Sequence, residues 1–474
     1  DETKNNYIMS VFCENDKFGV AICDLSTGEF RTTQVEYQDA LLDELNKFQP
    51  AEIICNDGFC ICGMDFEYIR EKIGAIITPV ASYYFEMDHC EKMIQEQYHL
   101  RNLEGIGLKD YPFGIIASGS LLQYLHETQK TSLAHLMELI PYSTQNYMVL
   151  DSSTRRNLEL CETMREKSKK GSLLWVLDKT KTAMGARMLR KMVEQPLIHK
   201  QAIMDRLDAV EMLKENVMAR EELREYMNSI YDLERLTMKV SYRSANPRDL
   251  IAFKTSIQYL PYIKDILGQF SRGVLADMGG ELDTLEDLYA LLEAAIEEDP
   301  PLSIKEGGIL KAGYDEEVDH LKKAKTEGKT WLAELEERER EKTGIKNLRV
   351  RYNKVFGYYI EVTNSYKDLV PEYYIRRQTL ANAERYTTEE LLELARTILG
   401  AEEKLYALEY ERYVEIRELL AAQMERIQKT AHYIARVDAF ASLAVVAEQN
   451  GYVRPSINQR GVLDIRDGRH PVVE

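Results

Sequence analysis

The stretch RYNKVFGYYIEVTNSYKDLVPEYYIRRQTLANAERYTT, residues 351–388, is a basic, tyrosine-rich island in an otherwise acidic and helical chain. Its β-branched and aromatic residues predict two strands, Leu348 to Asn353 and Tyr358 to Thr363, joined by a turn over Lys354 to Gly357. From Gly344 to Thr387 there are eight cations and four anions, a net +4 against −18 for the whole chain. A surface that repels polyanions over most of its area, yet keeps one positive patch, can meet a phosphate backbone only locally. A solvated basic loop is the plain alternative.

Outward from the island the pattern is helical on both sides. Tyr314, Val318, Leu321, Lys325, Gly328, Leu332 and Leu335 hold a four-and-three spacing on the N-terminal side, with Lys325 and Gly328 interrupting the apolar seam. Leu391, Leu394, Ile398, Leu405, Leu408, Ile416, Leu419 and Ile427 continue it on the other. Thr387 and Glu390 have capping-box spacing, and Glu389 adds negative charge at the positive end of the returning helix. At about 1.5 Å per residue, helices of roughly thirty residues would carry whatever sits at their tips about 45 Å from the body. A coiled-coil hairpin serving stability alone is the competing reading.

Residues 7–35 read as three strands, Tyr7 to Cys13, Phe18 to Leu25 and Glu29 to Val35, separated by turn chemistry. A helix from Asp39 to Phe48, a strand from Glu52 to Cys55, a helix near Phe66 to Ile73 and a strand from Ala75 to Thr78 complete a mixed α/β domain closing near Tyr111 to Gly114. It resembles a ribonuclease H-like sheet, but the first strand carries no mid-strand carboxylate, so a metal-dependent nuclease would lack its first ligand. From Ile115 to about Lys311 the chain reads as a multi-helix core punctuated by prolines.

At 474 residues the chain exceeds one core. Seven cysteines without a C-x-x-C pair read as reduced thiols of a cytoplasmic protein rather than as disulfides or zinc ligands, and no apolar run is long enough for a membrane helix. His89, Cys90 and His99 lack a second closely spaced ligand pair, and His470 has no nucleophile elbow beside it. The chain stops at Val-Val-Glu within what reads as a strand, and we expect a fragment.

Three stretches in order resemble the MutS family of DNA mismatch-repair proteins. They are Leu-Asp-Ser-Ser-Thr-Arg-Arg-Asn-Leu-Glu-Leu at 150–160 with the motif at 177–190, the island itself, and Asp-Gly-Arg-His-Pro-Val-Val-Glu at 467–474. The resemblance implies a multidomain, mainly α chain: an α/β connector (1–114), a helical core (115–312), a first lever helix (313–343), a β-rich clamp (344–388), a second lever helix returning to the core (389–450) and the opening of an ATPase domain (451–474). The connector favours the mismatch-repair branch over the connector-lacking one. The family's mismatch reader, with its Phe-x-Glu element, would precede Asp1, and Phe66-Glu67 lacks even that spacing. No G-x-x-x-x-G-K-S/T loop occurs, so the fragment is expected neither to hydrolyse ATP nor to discriminate mismatches. ATP and Mg are expected only for the full-length protein, together with a homodimer and repair partners met through the connector.

Sequence-independent clamping of duplex DNA then falls to phosphate donors: Lys354, Arg376, Arg377, Gln378, Thr379, Asn382 and Arg385. Arg385 has an alternative partner in Glu389, four positions on. Tyr358, Tyr359, Tyr373 and Tyr374 either stack on bases or build the island's small core. Arg155, Arg156, Arg187 and Arg190 fall in core motifs and are read as salt-bridged packing. A scaffold recruiting repair partners without touching DNA is the rival from another class, and a nuclease the third.

Overall fold

The computed structural model describes residues 1–129 and 132–474 and divides into two compact units. The first comprises Asp1–Ala245, Ala252–Tyr289 and Arg417–Glu474, and the second Asn246–Ile251 and Ala290–Ile416.

The first unit opens with β1 (Ile8–Glu14), β2 (Lys17–Asp24) and β3 (Glu29–Glu36), followed by β4 (Glu52–Cys55), β5 (Ile76–Pro79) and a short β6 (Ile140–Pro141). Their order is β5-β4-β1-β2-β3-β6, with β1, β2 and β3 antiparallel and the β1–β4, β4–β5 and β3–β6 pairs parallel. Asn15 and Asp16 make the two-residue β1–β2 turn at positive φ, 52° and 57°, which matches the twist of a tight hairpin. Alternation then sends Met9 and Val11 to one face, against Leu41, Leu45 and Phe48 of the helix Gln38–Phe48. Phe12 and Ile54 go to the other, against Ile115, Ile116, Leu121 and Leu122 of the helix Pro112–Thr128.

That second helix corrects the limit at 114. Two glycines are contact points between this helix and its neighbours: a Cβ on Gly19 would lie 1.9 Å from the Phe113 carbonyl oxygen, and one on Gly119 2.4 Å from the Cys90 Cα. The Ser10 and Ser120 hydroxyls meet at 2.7 Å, the Thr33 hydroxyl donates to the Tyr142 carbonyl at 2.7 Å, and β6 pairs with β3. The sheet-centred part therefore runs on to Tyr142. The helix Met424–Asn450 is buried along most of its length. It is separated from the helix Glu389–Ala421 by Ala422 and Gln423, so the single helix expected over 389–450 is two. Pro471 to Val473 form a turn, not a strand.

In the second unit the helix Glu316–Thr343 begins behind Asp315, whose carboxylate accepts from the Val318 amide at 2.9 Å, and ends at Gly344 with φ 72°. Four strands follow: β7 (Arg349–Asn353), β8 (Gly357–Thr363), β9 (Ile375–Thr379) and β10 (Ala383–Thr387), paired antiparallel in the order β7-β8-β10-β9. The helix Glu389–Ala421 starts behind Thr388, whose hydroxyl accepts from the Leu391 amide at 3.1 Å. Thr387, expected as the cap, is instead the last residue of β10, held extended by its ladder partner Ile375.

The two long helices run antiparallel. Arg338 pairs with Glu390, Lys325 donates to Tyr406 at 3.0 Å and lies 3.3 Å from Glu402, and Arg412 donates to Asp315 at 2.8 Å. Lys325 and Gly328, which look like faults in the apolar seam, are where the helices touch. A Cβ on Gly328 would sit 2.5 Å from Ile398 Cγ1. A Gly328→Val variant should lose about 1–3 kcal/mol of stability through overpacking. Urea unfolding of the variant checks this, and a midpoint matching the parent's would show that the contact is not tight.

Candidate nucleic-acid interface

The four-stranded sheet has a face turned to the long helices and a face turned away. Ile360, Val362 and Tyr386 pack with Leu332, Leu335, Ile345, Leu348, Leu391 and Ile398, which places the even-numbered positions of β8 and β10 inward. Register puts Val350 and Tyr352 of β7 beside them, opposite Ile360 and Tyr358, and Arg351 on the outward face, opposite Tyr359. Across that outer face, Arg385 stands opposite Glu361 on one side and Gln378 on the other.

The outer face is internally bonded around Arg385. Its guanidinium donates to the Gln378 side chain at 2.8 Å, lies 3.6 Å from Glu361 and stacks 4.5 Å above the Tyr359 ring, which is thereby buried. Glu389 is not its partner, because an i,i+4 pair needs one continuous helix and a strand end intervenes.

Arg376 is also engaged. Glu384, buried on β10, accepts from the Tyr386 hydroxyl and lies 3.7 Å from Lys367 and 3.8 Å from Arg376. The Tyr386 hydrogen bond, helped by those two cations, holds the Glu384 carboxyl below the usual carboxylate range. Arg376 therefore balances a charge within the sheet.

Arg377, its neighbour, is different. The β9–β10 register pairs Arg385 with Gln378 and Tyr386 with Arg376, leaving Arg377 as the extra residue of a bulge. It is exposed, as are Lys354 in the β7–β8 turn and Arg351 on β7. Among the described residues, none of these three has a carboxylate within ion-pair distance, the nearest ion pairs being made by their neighbours Arg349 and Arg376. Thr379 and Asn382 are exposed around the β9–β10 turn, which Asn364 ties to the end of β8 by donating to the Ala381 and Asn382 carbonyls.

The fold thus gathers Arg385 with Gln378 and Arg376 with Glu384, and sets Lys354 at the opposite end of β8 from Thr379 and Asn382. Arg351 is an exposed cation on a strand that the expected set omits, as are Lys346, Arg349 and Lys367 elsewhere in residues 344–388. The signal for Arg351 was the alternation of β7, in which position 351 lies opposite the outward side of β8. The tyrosines divide: Tyr359, Tyr374 and Tyr386 are buried, whereas Tyr352 and Tyr373 are 52% and 44% exposed. Arg187 is a packing residue, forked onto Asp232 and Glu234, and Arg190 pairs with Glu194.

A mixed N-terminal sheet, a helical body and a small antiparallel sheet between two long helices define a multidomain, mainly helical protein. The model of MutS domain II matches residues 6–137, and that of MutS domain III matches residues 153–444. The chain belongs to the MutS family. It is 55% identical over its whole length to the DNA mismatch repair protein MutS of Lachnoclostridium phytofermentans, of which it covers 51%. The proteins of the same name from Ruminiclostridium cellulolyticum and Caldanaerobacter subterraneus are 49% and 50% identical over all of this chain, which covers 54% of each. The chain spans about half the length of these curated relatives. Among the described residues no helix is long and apolar enough to cross a membrane.

Proposed function

We propose that this chain works within a mismatch-repair protein as the part that grips duplex DNA by its backbone. Residues 344–388 act as the clamp, the helices Glu316–Thr343 and Glu389–Ala421 as levers coupling it to an ATP-using end, and the ribonuclease H-like N-terminal part as a connector for repair partners. The observation that carries this reading is the trio Arg351, Lys354 and Arg377: exposed cations without internal partners on one small sheet, in a chain of net charge −18. Guanidinium and ammonium groups left unpaired in water retain their charge for phosphate oxygens. In this reading the whole protein is a cytoplasmic homodimer in which ATP with Mg and mismatch recognition belong to segments outside residues 1–474. Fluorescence anisotropy with a labelled duplex tests the grip. Binding at about 50 mM salt, indifferent to sequence or mismatch and lost on raising the salt, is expected. Absence of binding at low salt would sink the reading in favour of a protein-recruiting scaffold.

A further inference from the structure

The carboxyl ends of β1 and β4 gather thiols for which DNA binding has no use. These strands are parallel neighbours, so Cys13 near the end of one and Cys55 at the end of the other emerge on the same side of the sheet. Asn56 ties the two ends together: its side chain accepts from the Cys13 amide at 3.0 Å and donates to the Cys13 carbonyl at 2.9 Å. The same side-chain oxygen accepts from the Phe59 amide at 3.3 Å and so starts the one-turn helix Asp57–Cys60. Gly58 lets that turn lie flat on the sheet, since a Cβ there would be 2.4 Å from the Cys13 carbonyl oxygen. The turn returns Cys60 to the strand it left, and its Sγ stands 3.7 Å from the Sγ of Cys55.

The two sulfurs differ in environment. Cys60 is exposed and Cys55 is buried, and burial, with the neighbouring Cys60 thiol, pushes the Cys55 thiol well above its ordinary range. Cys62 is half-buried, and burial pushes the Cys13 thiol up to about 11. Among the described residues no group of three His, Cys, Asp or Glu is placed to hold a metal ion. What remains is one accessible sulfur with a second sulfur behind it in van der Waals contact, about 1.7 Å of approach short of a bond of about 2.05 Å.

We infer that Cys60 and Cys55 form an oxidative modification site that takes a hydroperoxide as its substrate. The Cys60 sulfur, having released its proton, attacks one peroxide oxygen. The O–O bond breaks, Cys60 becomes a sulfenic acid, and the departing oxygen takes up the proton to leave as water when the oxidant is hydrogen peroxide. The Cys55 sulfur then attacks the sulfenic sulfur, the S–O bond breaks, and hydroxide leaves with the Cys55 proton as a second water. Two thiols have lost two electrons, the peroxide has gained them, and a disulfide fastens the turn 56–60 to β4.

The test is a hydrogen peroxide titration of the whole chain, followed by alkylation of the remaining thiols. Two of the seven thiols should disappear together and return with dithiothreitol. Cleavage before Asp57 should give a reducible peptide pair joining Cys55 to Cys60, with Cys62 alkylated. Cys60→Ser should abolish the two-thiol loss at the same dose, and Cys55→Ser should leave a Cys60 sulfenic acid that dimedone traps. Cys62→Ser should still form the link. Because Cys60 is exposed, its serine variant should fold, and the peptide map of the unaltered chain decides the matter without any variant. The inference is overturned if no thiol is lost, if Cys60 passes to sulfinic or sulfonic acid without a link, or if the bond joins Cys13 to Cys62 or Cys60 to Cys62.

Discussion

A chain in which Arg351, Lys354 and Arg377 are all changed to Ala should bind duplex DNA on the order of 100-fold more weakly at about 50 mM salt. Its plot of log affinity against log salt should be shallower by about 2.7, because each phosphate contact releases close to 0.9 counterion. The partners matter more than the residue types here. Arg376 and Arg385 are as cationic as Arg377, but they face Glu384 and Glu361 at 3.8 and 3.6 Å. Their field at a phosphate is partly cancelled before DNA arrives. An Arg376→Ala, Arg385→Ala double variant should therefore leave most of the salt slope intact and instead weaken the sheet, since it leaves Glu384 with less compensating charge and uncovers Tyr359. Anisotropy titrations at four or five salt concentrations separate the two variants. A double variant that flattens the slope as much as the triple would mean that Arg376 and Arg385 leave their carboxylates to meet the backbone.

The second large effect is on stability. Asp438 lies in the middle of the buried helix Met424–Asn450 and accepts from the Lys181 amide at 2.9 Å, the Thr182 amide at 2.7 Å and the Thr182 hydroxyl at 2.7 Å. Thr182 in turn caps the helix Ala183–Glu194 through the Gly185 amide, and Gly185 must lack a side chain because its Cβ would fall 2.1 Å from Asp438 Oδ2. Asp438→Ala strands these donors in a closed space and should cost about 3 kcal/mol. Asp438→Asn, which keeps one acceptor oxygen, should cost less. Burial raises the Asp438 carboxyl from 3.8 to about 6. An unfolded chain therefore releases this proton near pH 4, while the folded one keeps it to about pH 6. Over that window the native state binds the extra proton, so this group's contribution to stability falls as pH rises. Urea midpoints across pH 4–7 should show that fall in the parent and lose it in Asp438→Asn. Equal pH profiles would place the titration elsewhere.

The strands were legible where alternation is local. Glu52–Cys55 falls at the expected residues, and β1 to β3 lie within a residue or so of theirs. The island's two leading strands and the turn between them were legible for the same reason, as were the long helices on either side. Legibility failed where a residue's role depends on a distant partner. Gly114 reads as an ending, yet it lies within the helix covering the sheet, a Cβ on it falling 2.9 Å from the Thr32 hydroxyl. Thr387 and Thr388 are equivalent as letters, and only the ladder to Ile375 decides which of them is free to cap. The break at Ala422 and Gln423 carries no proline or glycine, so the apolar spacing runs through it unmarked.

From the sequence alone came the membership suggested by three ordered motifs, the mixed sheet followed by helices, and the location of the positive charge between two long helices. These depend on period, composition and order, which a chain carries without folding. Only the tertiary structure decided which of those cations are spent on Glu384 and Glu361 and which stay free, that Lys325 and Gly328 join the helices they seemed to spoil, and that Cys55 and Cys60 share one corner of a sheet. Each of these turns on atoms brought within a few ångströms by strand register or helix contact, and Coulomb attraction, packing and thiol chemistry all act over that distance rather than along the chain.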